Sequence, residues 1–129
     1  MKNYLRPFLL VIVFVSCSNN DDDIDNQLVG SWNWLESSGG IAGSTTTPTS
    51  TGNTISVVIS TNSLKQFTNG NLTFETNYTI EVRKSEIFGG QREMIIYENG
   101  FKQSFERKGN KLILYGECND CFQSEYEKG

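Results

Sequence analysis

Histidine is absent from the chain, and proline and cysteine are rare, with two and three residues. Histidine ordinarily moves protons near neutral pH and binds transition metals as a neutral ligand. Its absence removes any Ser-His-Asp triad, His-based acid–base pair or His-containing metal site. The expectation is a non-enzymatic protein with no catalytic residue, no metal and no cofactor. Basic residues are also few. Setting aside Lys2 and Arg6 of the leader, nine remain against fifteen acidic ones, a net charge near −6. With no basic stripe, the pattern argues against nucleic acid as a partner. Long hydrophobic runs are missing too. The longest, residues 8–15 (FLLVIVFV), has eight residues, far below the roughly 20 that span a bilayer.

What is present begins with an address. Lys2 and Arg6 accompany the apolar run, Ser16 is small, and Cys17 follows at once. Residues 1–16 therefore read as a signal peptide rather than a membrane helix. The stretch LVIVFVSC resembles a bacterial lipoprotein signal. That resemblance implies lipidation of Cys17, anchoring in the membrane of the bacterial cell envelope, and an outer membrane lipoprotein. A conventional secretory signal with an incidental Cys17 is the alternative. Residues 17–27 comprise this cysteine and an acidic tether (SNNDDDIDNQ) with too little apolar content to fold. Its ten residues reach at most roughly 33 Å. The aspartates at 21–23 resemble the acidic patches that direct Bacteroidetes lipoproteins to the cell surface. A plain soluble spacer is the other reading.

From residue 28 the pattern becomes that of strands. In LVGSWNWL (28–35), Leu28, Gly30, Trp32 and Trp34 share one strand face. Two tryptophans there imply a deep interior that the first strand plugs. Residues 36–53 are rich in Gly, Ser and Thr and read as one long loop, either a lid or disorder. Strands follow at 55–60, 64–67, 72–82, 92–98, 101–107, 112–115 and 122–126. Asn69-Gly70 and Asn99-Gly100 mark hairpin turns, and a bulge is expected near Asn77. The domain at 28–129 is thus expected to be all-β. Eight strands with local antiparallel connections close best as an eight-stranded up-and-down barrel, with a two-sheet sandwich as the rival. Chain order then places both termini at one end with turns 61–62, 83–91 and 108–110. Loop 36–53 and turns 69–70, 99–100 and 116–120 gather at the other end, where a ligand would enter past Ile41 and Pro48.

Gly30-Ser31-Trp32 matches the Gly-x-Trp of the first lipocalin strand. The domain as a whole resembles the short lipocalin-like lipoproteins of Bacteroidetes, which share the LVG-x-W-x-W opening, a Gly/Thr/Pro-rich first loop and NG turns. The resemblance implies a calycin-like barrel whose closed floor is formed by Gly30 and Trp32, with the first loop over the open end. Lipocalins commonly lay an arginine of the last strand over this tryptophan. Here that region offers only Lys128.

Cys118-Asn119-Asp120-Cys121 falls between two strands, where a two-residue turn suits a disulfide. Free thiols and a metal site are the weaker readings. Trp34, Phe74, Tyr78, Phe105, Phe122 and Tyr126 are expected to line either the core or a ligand cavity. The carboxylates Glu75, Glu81, Glu93, Glu98, Glu106, Glu125 and Glu127 read as a solvated face. Two functions remain open. One is binding of a small hydrophobic ligand in a hollow barrel; the other is a protein-interaction or structural envelope module with a filled barrel.

Overall fold

The computed structural model describes residues 27–129. The leader at 1–16, Cys17 and the tether through residue 26 lie outside the described residues. The elements are β1 (Gly30–Gly39), β2 (Ser44–Thr46), a one-turn helix α1 (Pro48–Thr51), β3 (Ile55–Ile59), β4 (Ser63–Thr68), β5 (Asn71–Lys84), β6 (Gln91–Tyr97), β7 (Lys102–Lys108), β8 (Lys111–Gly116) and β9 (Phe122–Lys128). Every pairing is antiparallel, and β1 pairs with β9 to close the sheet. The result is the expected eight-stranded up-and-down barrel, with β2 as a short extra strand on β1.

Alternation supplies the core. Trp32 and Trp34 of β1, Val57 and Ile59 of β3, Leu64, Tyr78, Ile95, Tyr97, Phe105, Leu112, Leu114 and Tyr126 all point inward and are buried. Leu28 precedes the first strand instead of starting it, and is fully buried beneath the barrel. Burying each such side chain contributes roughly 1.5–3 kcal/mol before chain entropy is set against it.

Three expectations need correction. Residues 36–53 are neither disorder nor a single loop. β1 runs on to Gly39, turns through two left-handed glycines and pairs with β2. Thr47 then caps α1 through a capping box, Pro48 opens the helix, and Gly52 closes it in the left-handed conformation. All three devices are helix-boundary signals. The bulge in β5 is at Thr73, where the register with β4 shifts, and not at Asn77. A second irregularity lies in β1 between Trp34 and Glu36.

The third correction concerns the turn at 83–91. β5 is long because its two halves serve different neighbours: 71–77 pair with β4 and 78–84 with β6. β6 in turn pairs with β7 only at Met94–Ile96. Beyond that the β5–β6 hairpin leaves the wall and folds across the outer face of β7 and β8. Phe88 meets Tyr115 edge-on at 4.9 Å, and Arg92 donates to the Phe105 carbonyl at 3.4 Å. The hairpin tip thus reaches residue 117, at the end expected to be opposite. The other turns sit as chain order requires, and the first loop lies at the end away from Leu28.

Candidate functional site

The closed end is built on Trp32. Its indole N–H donates to the Leu28 carbonyl at 2.9 Å, tying the entering chain to the floor. Two cations lie over the ring, Lys128 Nζ at 4.7 Å and the Arg107 guanidinium at 4.9 Å from the centroid. Cation–π attraction strengthens as such groups lose water. Lys128 therefore takes up the position the last strand offered. Arg107 of β7 adds a guanidinium that the sequence reading did not assign. Arg107 also donates to the carbonyls of Gly109 and Gln27. Gly30 has a φ of 145°, which L side chains rarely adopt, and a Cβ there would displace the Lys128 ammonium. Above the floor, the space among Trp32, Ile59 and Leu112 holds no water-sized void.

The opposite half is not completely filled. A cavity of about 150 Å³ is bounded by Val57, Leu64, Gln66, Phe74, Tyr97, Asn99, Phe101, Gln103, Leu114 and Tyr126. Phe74 and Phe101 stand partly exposed at its mouth. Tyr97 stacks on Phe101 with ring centroids 6.0 Å apart, and its hydroxyl donates to Gln103 Oε1. Burial pushes the Tyr97 phenol well above its ordinary range, and the neighbouring Tyr126 and Tyr78 push it the same way. Burial also raises Tyr126, against a smaller lowering by the Ser124 hydroxyl. Both phenols therefore stay neutral. The cavity offers apolar walls interspersed with hydroxyl and amide groups.

The residues expected to line the interior divide between roles. Trp34 is buried, and its N–H donates to Ser37 Oγ, which bonds Ser124 Oγ across to β9. Tyr78 is buried and donates to the Ser60 carbonyl at 2.6 Å, fixing turn 60–62 to the wall. Phe105 is packed in the core. Tyr126 lies between floor and cavity and borders both. Phe74, 44% exposed, is a mouth residue. Phe122 does not line the interior: 46% exposed, it sits at the rim against Gly40. No residue of 36–53 borders the cavity, and Ile41 and Pro48 therefore do not flank its entrance. The mouth instead involves the 98–101 turn. Tyr97 and Gln66 lie on strands of weak alternation, and Gln103 shares the inward face of Phe101 and Phe105 but is polar.

At the same end, Cys118 and Cys121 form a disulfide with Cα atoms 5.2 Å apart. Glu117, just before it, is the least expected residue of the fold. It is 5% exposed and no ion pair to it occurs among the described residues. Its carboxylate accepts from Ser104 Oγ at 2.7 Å, from Ser85 Oγ at 2.8 and 3.0 Å, and from the Glu86 N–H at 2.7 Å. Burial alone would raise its pKa, but the two hydroxyls and the backbone N–H groups of Glu86 and Ile87 hold it below the ordinary value. Hydrogen bonds to the charged form have this effect. Glu117 is thus the latch that pins the folded-over hairpin to the wall.

Comparison with protein-family models, curated proteins and solved structures finds no match for this chain.

Proposed function

We propose that this protein binds a small, mostly apolar molecule inside the far half of its barrel, as a membrane-tethered, non-catalytic lipocalin-like lipoprotein of the bacterial envelope. The cavity of about 150 Å³ carries the reading. Pockets for drug-sized ligands run to roughly 300–1,000 Å³, whereas a dry apolar cavity of about 150 Å³ accommodates benzene. The fitting guest is a single aromatic ring or a short aliphatic chain. Gln66, Asn99, Gln103 and the Tyr97 hydroxyl would meet one polar substituent, so a simple phenol is a suitable probe.

Calorimetric titration with phenol tests the proposal. The wild-type chain is expected to bind, and Gln66→Phe, which puts a ring into the cavity from a half-buried position, is expected to weaken binding at least about tenfold through lost volume. Equal affinity in the two proteins would refute it.

The anchor rests on Cys17 and the leader pattern. Replacing it (C17A) is expected to abolish lipid labelling and move the protein from the detergent phase to the aqueous phase. Persistent labelling in C17A would remove the anchor from the account. One acyl chain holds a protein only marginally, so stable tethering requires more than one on this cysteine.

A further inference from the structure

We propose that the outer edge of β5 pairs with the same edge of a second copy of this chain, antiparallel and centred on Val82. β4 ends opposite Asn77, so from residue 78 onward β5 has a strand neighbour on one side only. The Tyr78 N–H donates to the Asn62 carbonyl at 3.1 Å, on the β4 side. The alternation of a strand then turns the N–H and C=O groups of Ile80, Val82 and Lys84 to that side as well. Among the described residues no backbone group meets them there. Val82 is 61% exposed. An unpaired edge of this kind is a template for another strand.

Charge selects both the partner and the register. Within one copy, Arg83 Nε donates to Glu81 Oε1 at 2.9 Å, and both side chains are nearly half exposed. A twofold axis at Val82 places Glu81 opposite Arg83 of the second copy, and Arg83 opposite the second Glu81. Val82 then faces its own counterpart, and Ile80 faces the stem of Lys84. The pairs Val82–Val82 and Ile80–Lys84 exchange backbone hydrogen bonds, and the two Glu–Arg pairs occupy the closer, non-hydrogen-bonded positions. A centre on Glu81 or on Arg83 would set like charges directly against each other, which is destabilising. A centre on Ile80 would need the Tyr78 N–H already given to Asn62. The edge is therefore self-complementary in one register, as a twofold interface requires.

The test is sedimentation of full-length protein in detergent across a wide concentration range. Wild type is expected to form a dimer that weakens as salt is raised. Glu81→Arg and Arg83→Glu are each expected to dimerise about tenfold or more weakly. An equimolar mixture of the two variants restores every opposite-charge pair and is expected to recover the dimer. Val82→Cys, which does not alter the charges, should give a disulfide-linked dimer, while Leu72→Cys, half exposed at another site, should not. A wild-type monomer at all concentrations would mean that the charges guard the edge, and would overturn the proposal. So would a mixture that stays monomeric, or cross-linking that is equal at residues 72 and 82.

Discussion

Trp32→Ala is expected to destabilise the barrel by about 3–5 kcal/mol, the range for truncating a large buried aromatic side chain. Trp32 has no exposed surface, and its loss acts in three ways. It opens a void at the floor, where the packing leaves no spare volume. It strips the Leu28 carbonyl of its donor. It also removes the ring over which Arg107 and Lys128 both lie. Urea unfolding monitored by far-UV circular dichroism measures the change. A loss under about 1 kcal/mol, the scale of a tolerated surface substitution, would show that the floor does not hold the barrel closed.

Glu117→Ala is the second large effect, expected at about 2–4 kcal/mol because buried donors are left without their acceptor. The damage should be local in pattern. Amides at 85–90 are expected to exchange with solvent much faster, while those of β1 and β9 change little. The latch also predicts an acid dependence. The folded pKa of Glu117 lies below its ordinary value of 4.5. Its ionised form therefore stabilises the fold fully above that value, and the contribution is lost as pH falls through the lower folded pKa. Between pH 7 and pH 3 the urea midpoint of wild type should fall more than that of Glu117→Gln, which cannot titrate. Identical falls in the two proteins would contradict the role given to this carboxylate.

The parts of the fold that could be read from the sequence are those with local causes. Alternation around Trp32 and Trp34 sets the inward face of the first strand, and the Asn-Gly pairs set two hairpins. Two residues between Cys118 and Cys121 set the bridged turn. The capping box and proline at 47–50 were equally local, and a helix start could have been recognised there. Glu117 could not. Its donors lie 13 and 32 residues away in sequence, and they reach it only because the β5–β6 hairpin bends out of the wall. No residue near 94 announces that bend. Arg107 is a similar case, since its partner Trp32 is brought beside it by barrel closure alone. The cavity depends on how completely many side chains fill a cylinder. Composition constrains that volume poorly, and the mouth formed by Phe74 and Phe101 rather than by loop 36–53 follows from strand stagger.

The most direct measurement is the position of a bound ring, read by methyl and aromatic NMR during titration of the wild-type protein with phenol. Saturable shifts are expected at Val57, Leu64, Leu114, Tyr97 and Tyr126, which border the cavity. Ile59, Leu112 and Trp32, packed at the floor, should move little. Shifts confined to the outer wall, or no saturable shift at Tyr97 and Leu114, would contradict a barrel that binds a small molecule in its far half.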